Sequence, residues 1–120
     1  MANSGPNSTG SQFFIVTAEE FYVGVLGFDP VVRRYPGALF VSAGGYHHHF
    51  GLNTWAGVGA PAPPEGSRGL KRLTVLLPDG VALDAVLGSA SAAGIDVGPD
   101  DDGQSVVADP SGNRIALVTR

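Results

Sequence analysis

The stretch Tyr46-His47-His48-His49-Phe50-Gly51-Leu52-Asn53-Thr54-Trp55 has the two-residue alternation of a β-strand. Phe50 and Leu52 are apolar and fall on one face, which we expect to pack under a helix. His47, His49, Asn53 and Trp55 then fall on the opposite face. The pattern predicts a strand over 46–54 that presents imidazole, amide and indole groups to a cavity.

Upstream of this strand the sequence predicts one helix and further strands. Pro36-Gly37 and Gly44-Gly45 are turn signals that separate strands over 31–35 and 38–42. Thr17 and Glu20 form a capping box for a helix with an apolar stripe at Phe21, Tyr22, Val25 and Leu26. Phe13–Val16 is a β-prone run before that helix. A single helix over 12–26, with this strand lost, is the alternative.

The second half of the chain repeats the same order of elements. Leu70–Leu77 is predicted as a strand, and Asp79 as the N-cap of an amphipathic helix over 80–93. Gly94 ends the helix, and short strands follow over 95–97, 104–108 and 113–119. Asp100–Asp102 and Asp109–Gly112 are predicted turns, the first of them solvated.

This repeated order predicts an α+β fold, with two paired βαβββ modules forming a curved mixed sheet around a cleft and the helices outside. We expect a disordered leader over residues 1–11 and a single domain over 12–120. Within that domain, module one covers 12–56, a Pro/Gly-rich connector covers 57–69 and module two covers 70–120. A cleft between two sheets is a natural place for a small ligand.

Composition narrows the function classes. With 43% hydrophobic residues the chain of 120 residues can form a core, and without cysteine it has no disulfide, thiolate ligand or cysteine nucleophile. A net charge of −4 with seven basic residues argues against nucleic acid as a partner. No apolar run approaches the roughly 18 residues that span a membrane. We therefore expect a cytoplasmic protein with a small-molecule partner and no membrane contact.

Four segments of the chain resemble the vicinal oxygen chelate superfamily, which comprises glyoxalases, bleomycin-resistance-type proteins and extradiol dioxygenases. The stretch 46–55 is similar to the YHHHIGLNTW strand of the catechol-2,3-dioxygenase-like branch, which is the nearest in pattern. The others are the FY…LGF helix end at 21–28, the second-module strand at 73–78 and the DPxGN turn at 109–115. Together they span most of residues 13–119.

The resemblance also implies a metal site, from which this sequence departs. In the metal-dependent members, ligands come from the first and last strands of the modules. The first-strand ligand falls near Gln12 or Phe13, and Arg72 stands where a histidine is expected. Ala116 stands where a glutamate is expected, and neither a guanidinium nor a methyl group offers a lone pair to a metal. Because of this departure from the family's ligand set, we expect no resident cofactor. A divalent ion (Fe, Mn, Ni or Zn), with His49 as a ligand, is the alternative.

The candidate site residues are those on the predicted cavity face and those at or near the positions where this sequence departs from the family's metal ligands. His47, His49 and Arg72 are the candidate catalytic residues, and Gln12, Asn53, Trp55 and Thr74 are the candidate ligand contacts. The histidines suit acid–base chemistry near neutral pH, but equally a polar lining or hydrogen-bonded structure. A buried Arg72 needs a partner, which is either an anionic or carbonyl-bearing ligand or an internal Asp or Glu.

Two function classes remain open at this stage. The first is a small-molecule-binding protein with a degenerate metal site, which holds an aromatic or polyketide-like ligand or catalyses a metal-independent reaction. The second is a divalent-metal-dependent dioxygenase or glyoxalase-type lyase that uses the histidine strand. Whether the chain is an enzyme is left open. Exposed sheet edges and the long connector predict a homodimer.

Overall fold

A computed structural model of the chain describes residues 15–32, 37–55, 61 and 63–120. Contacts divide the chain into two compact units, unit 1 (Met1–Pro61) and unit 2 (Ala62–Arg120). The boundary between them lies within the predicted connector 57–69. Within the described residues, no helix has the length and apolar character needed to cross a membrane.

The described part of unit 1 opens with a helix, α1, which is α-helical over 15–19 and π-helical over Glu20–Val25. The amide of Leu26 donates to the carbonyl of Phe21, five residues earlier, at 3.0 Å. Gly27 follows with φ 83°, a left-handed conformation that suits glycine at a helix end.

The predicted strand over Phe13–Val16 is wrong for Ile15 and Val16, which are helical, while residues 13–14 lie outside the described part. Thr17 therefore lies inside the helix, so the predicted capping box is also wrong. The physical reason is periodicity, because the buried positions Ala18, Phe21, Tyr22 and Val25 continue one helical stripe toward the N-terminus. The alternative of a single helix fits the described residues better.

Three antiparallel strands in the order β1-β2-β3 form the sheet of unit 1: β1 (Asp29–Val32), β2 (Ala38–Ser42) and β3 (Phe50–Asn53). Leu39 and Val41 of β2 are buried at its centre. The ring of Phe50 lies 5.6 Å from that of Tyr22 on α1 and 5.2 Å from that of Phe28. These aromatic contacts pack α1 and the segment that follows it against β3.

Unit 2 is one βαβββ module. Its elements are β4 (Leu73–Leu77), α2 (Gly80–Ala92), β5 (Gly98–Pro99), β6 (Ser105–Ala108) and β7 (Arg114–Thr119). The strand order is β4-β7-β6-β5, and β4 runs parallel to β7 while the other pairs are antiparallel. The predicted N-cap of α2 is confirmed, because the Asp79 carboxylate accepts the amide of Ala82 at 2.9 Å.

The predicted strand at 95–97 is displaced to β5. The amide of Ile95 donates to the carbonyl of Ala90 at 2.9 Å, so Ile95 belongs to the turn that ends α2. The predicted strand over Leu70–Leu77 begins at Leu73, and its side chains alternate: Thr74 and Leu76 are exposed, and Leu73, Val75 and Leu77 are half-buried. The half-buried set pairs with Ile115, Leu117 and Thr119 of β7, and α2 packs against both strands.

The α+β class is confirmed in each unit. Unit 2 has the complete βαβββ order, and the described residues of unit 1 have the helix and three strands of a second such module. The pairing of the two modules around a cleft stays a prediction.

Candidate ligand-binding site

The three consecutive histidines lie in the segment that joins β2 to β3. Tyr46, His47, His48 and His49 are all exposed, and the strand begins only at Phe50. The predicted strand over 46–54 is therefore too long, and strand alternation does not set the direction of these side chains. Alternation does hold within β3, where Gly51 and Asn53 are exposed and Phe50 and Leu52 are half-buried.

The ring of His49 is bound to the end of β2. Its Nδ1 lies 3.2 Å from the amide nitrogen of Ala43 and 3.3 Å from the hydroxyl oxygen of Ser42. A backbone amide can only donate, so Nδ1 accepts and the proton of the neutral ring sits on Nε2. The backbone of His49 also bonds to β2, because its amide donates to the carbonyl of Val41 at 2.8 Å. The ring bond leaves Nε2 as the nitrogen able to act on a ligand.

His47 and His48 form a second arrangement in the same segment. Their Nδ1 atoms are 3.1 Å apart. The ring of Tyr46 lies 4.1 Å from that of His47, and the ring of Phe40 lies 5.3 Å from that of His48. An aromatic ring therefore supports each imidazole.

Asn53 and Trp55 lie at the end of β3. The Oδ1 atom of Asn53 accepts the backbone amide of Trp55 at 3.1 Å, and the amide of Thr54 donates to the carbonyl of Gly37 at 3.0 Å. Asn53 thus closes an Asx-type turn. The turn presents the indole of Trp55 with 63% of its surface exposed.

Arg72 directly precedes β4, and its guanidinium pairs with two carboxylates. It contacts Asp100 through Nη1 and lies 3.5 Å from Asp102 through Nη2. Asp100 directly follows β5, and β4 and β5 are the two outer strands of the four-stranded sheet. The ion pair therefore links segments next to opposite edges of unit 2. The internal partner that was one alternative for Arg72 is thus present.

Asp100 is a site residue that the sequence does not single out, because 100–102 is predicted as a solvated turn. Its side chain is only 5% exposed. Its Oδ1 accepts the amides of Gln104 at 2.8 Å and Asp102 at 2.9 Å. The spacing Asp-x-x-Gly could have singled it out, because an aspartate at the first position of such a turn caps the amides that follow.

These bonds lower the pKa of the Asp100 carboxyl below its ordinary value of 3.8. The backbone amide of Gln104 is the largest cause, and burial acts in the opposite direction. The amide of Asp102 and the guanidinium of Arg72 add to the lowering of this pKa.

A pH-dependent contribution to stability follows from Asp100. Because its pKa is lower in the folded chain, its contribution is present above its ordinary value of 3.8 and is lost as pH falls through the folded value. We expect Asp100→Asn to be less stable than the parent chain at pH 7, and this difference to shrink in acid. Urea unfolding of both chains between pH 7 and pH 2 measures it; a difference independent of pH would contradict the prediction.

In unit 2, the two positions where the family's metal ligands are expected are Arg72, directly before β4, and Ala116 in the neighbouring strand β7. Thr74 of β4 pairs with Ala116 of β7, so both lie on the sheet face opposite Leu73 and Ile115. Thr74 is exposed, whereas Ala116 is buried. Arg72 lies two residues before Thr74, next to the same strand.

A divalent metal, held as the resemblance implies, does not fit these side chains. Arg72 is a cation already paired with Asp100, and Ala116 has no donor atom. Among the described residues, no three His, Asp or Glu side chains form a group that could hold an ion. Gln12, the remaining expected position, lies outside the described residues.

The structure thus groups the candidates by unit. His47, His49, Asn53 and Trp55 lie in unit 1, in or beside the two ends of β3. Arg72 and Thr74 lie in unit 2, at the start of β4. Their catalytic and ligand-binding roles stay predictions.

Comparison with known proteins agrees with this architecture. No protein-family model matches the chain. A lactoylglutathione lyase from Agrobacterium tumefaciens has a similar structure, with a TM-score of 0.58 and 22% identity, over 88% of this chain and 84% of that chain. TnmS3, an antibiotic binding protein from Streptomyces sp. CB03234, matches with a TM-score of 0.58 and 28% identity, over 87% and 84% of the two chains. The fold is therefore that of the glyoxalase class of α+β proteins.

A protein of similar sequence also supports this class. The chain is 47% identical over 103 residues to a catechol-2,3-dioxygenase from Bacillus subtilis (strain 168). The match covers 84% of this chain and 36% of the relative, so the chain spans about a third of that protein's length. The chain belongs to the vicinal oxygen chelate superfamily, which includes the glyoxalase, bleomycin resistance and dioxygenase proteins.

Proposed function

We propose that the chain is a small-molecule-binding protein of this superfamily that works without a resident metal. The observation that carries the proposal is the chemistry of positions 72 and 116. Arg72 is paired with the carboxylates of Asp100 and Asp102, and Ala116 is buried and has only a methyl group as its side chain. A chain without these two ligands keeps the fold but not the ligand set of the metal-dependent members.

The proposed ligand is aromatic or polyketide-like, and its contacts lie along the segment around β3. The exposed indole of Trp55 offers a stacking surface, and Asn53 orients it through the turn. His47 and the Nε2 atom of His49 offer hydrogen bonds. The relation to TnmS3, which is named an antibiotic binding protein, also supports this ligand class.

Arg72 does not require the proposed ligand to be an anion. Two carboxylates already face its guanidinium, so no further anion is needed to neutralise it. Within unit 2, Arg72 links the segments beside β4 and β5. The role of Thr74 as a ligand contact stays a prediction.

A ligand screen with a matched pair of variants tests the proposal. We expect an aromatic ligand to quench the fluorescence of Trp55, the single tryptophan of the chain. Trp55→Ala should weaken binding about two- to tenfold, since an aromatic pair contributes about 0.5–1.5 kcal/mol. Isothermal titration calorimetry measures both affinities. Leu70→Ala is the control, because Leu70 is an apolar residue of similar exposure in unit 2.

Two results would contradict this binding mode. One is a screen of aromatic and polyketide-like compounds in which none raises the melting temperature of the chain. The other is an equal loss of affinity in Trp55→Ala and Leu70→Ala, because stacking on the indole would then contribute nothing specific.

The second candidate is a divalent-metal-dependent dioxygenase or glyoxalase-type lyase. It is favoured by the 47% identity to a protein named catechol-2,3-dioxygenase. Metal content by elemental mass spectrometry, on untagged protein purified without chelators, separates the two candidates. Stoichiometric Fe, Mn, Ni or Zn together with cleavage of a catechol ring would support the dioxygenase. For either candidate, we propose a cytoplasmic protein. We also propose that it forms a homodimer, because β3 is an edge strand of its sheet and an exposed edge can pair with a second copy.

A further inference from the structure

Two exposed imidazoles in unit 1 point their ring nitrogens at each other. The Nδ1 atoms of His47 and His48 are 3.1 Å apart, and the two ring planes are inclined by 69°. The Nδ1 atom of the third histidine, His49, is instead occupied by the amide of Ala43. His47 and His48 therefore form a pair that is chemically separate from their neighbour.

We propose that His47 and His48 form a bidentate site for a late first-row divalent metal ion. Imidazole nitrogen suits Cu²⁺, Ni²⁺ and Zn²⁺. With metal–nitrogen bonds of about 2.0–2.1 Å, two nitrogens 3.1 Å apart subtend an angle of about 100° at the ion. This angle lies between the right angle of square-planar coordination and the tetrahedral angle, so the spacing of the two nitrogens suits one ion once the rings turn toward it.

The neighbouring rings hold this geometry before an ion arrives. Tyr46 lies against His47 with ring centroids 4.1 Å apart and planes inclined by 34°. Phe40 supports His48 edge to face at 5.3 Å. Each imidazole therefore loses less side-chain freedom on binding than an unsupported surface histidine would.

A proton occupies the place of the ion in the metal-free chain. Two nitrogens at 3.1 Å require one N–H between them, because two facing lone pairs would repel. When an ion binds both Nδ1 atoms, the donor ring carries its proton on Nε2 instead, and both rings stay neutral. The exchange needs a change of tautomer in one ring and a turn of the two exposed rings toward the ion.

Two protein ligands leave the remaining coordination positions open to water or to another donor. The affinity is therefore below that of sites with three or four protein ligands. Copper should bind most tightly among the divalent ions, as the general order of metal affinities predicts. This site shares His47 with the proposed ligand contacts, but it is argued independently of the proposed function, because it uses neither Arg72 nor Ala116 and is tested with the metal ion alone.

Titration of Cu²⁺ into the full chain, by calorimetry and electron paramagnetic resonance, tests the site. We expect one ion per chain with nitrogen coordination in the spectrum. His47→Ala and His48→Ala should each weaken binding at least tenfold, since even residues behind a ligand change metal affinity by about 10–100-fold. His49→Ala is the matched control, and we expect it to keep the affinity of the parent chain for Cu²⁺.

The outcomes separate the site from its alternatives. Unchanged affinity in His47→Ala or His48→Ala would overturn the proposal, as would an equal loss in His49→Ala. Half an ion per chain would also overturn it, because the ion would then bridge two copies. Thermal melts of the three variants check folding. Because His47 and His48 are exposed, their variants should melt close to the parent chain.

Discussion

Replacing Ile115 with alanine is expected to lower the free energy of unfolding by about 2–5 kcal/mol, the usual range for a buried Ile-to-Ala change. Ile115 is fully buried in β7, an inner strand of the sheet in unit 2. The register places it between Leu73 of β4 and Val107 of β6. Truncation leaves a cavity that these two strands cannot fill without breaking their hydrogen bonds.

Leu76→Ala is the matched control for this prediction. Leu76 lies on the neighbouring strand β4 but is 54% exposed, so its removal takes little apolar surface out of the core. Urea unfolding followed by circular dichroism measures both variants. We expect a clear shift of the midpoint for Ile115→Ala and a shift several times smaller for Leu76→Ala. Equal shifts would show that β7 does not lie at the centre of the core.

Replacing Asp109 with alanine is expected to lower the free energy of unfolding by about 3 kcal/mol, which is less than the sum for separate bonds of about 1.5–3 kcal/mol each because bonds to one carboxylate are not additive. Asp109 is only 6% exposed. Its Oδ1 accepts the amides of Ser111 at 2.9 Å and Asn113 at 2.8 Å. Its Oδ2 accepts the side-chain amide of Asn113 at 2.8 Å. Alanine removes all three bonds from the turn that leads into β7.

Asp109→Asn distinguishes the hydrogen bonds from the bulk of the side chain. Asparagine keeps one oxygen for the two backbone amides, but its own amide meets the amide of Asn113. We therefore expect Asp109→Asn to lose roughly half the stability that Asp109→Ala loses. Thermal and urea unfolding give both values. If the two variants proved equally unstable, the carboxylate charge rather than the pattern of acceptors would hold the turn.

Unit 2 was the more predictable half because its signals are local. Asp79 caps α2 through an amide three residues away, and the alternation in β4 needs only its own sequence. The two Asp-x-x-Gly turns behave alike. In each, the aspartate accepts the amides two and four residues later, as Asp100 and Asp109 show. Reading these turns as capped, rather than solvated, would have identified both carboxylates as buried.

Unit 1 was less predictable because two of its features depend on contacts across the fold. Residues 15–16 are β-prone, yet the buried stripe of α1 extends the helix through them. His49 continues an alternating pattern, yet the amide at the end of β2 takes its ring nitrogen. At residues 15–16 packing overrides the local β preference. At His49 a hydrogen bond, rather than strand alternation, fixes the direction of the ring.

From the sequence, the partner of Arg72 could be narrowed only to two alternatives, a bound ligand or an internal carboxylate. A ligand or an internal carboxylate both satisfied the need of a buried guanidinium. Deciding between them requires the strand order, because Arg72 and Asp100 flank strands at opposite edges of the sheet. No spacing along the chain encodes that arrangement.

The ion pair of Arg72 also restricts how this chain can evolve. Mutation of position 72 to histidine, the residue that the family's metal-dependent members carry there, would remove the cation beside the nearly buried carboxylate of Asp100. The new imidazole would have no carboxylate partner for an ion until Ala116 changed as well. At least two substitutions therefore separate this chain from that ligand set, and the first of them alone would remove the cation beside Asp100 without completing a metal site.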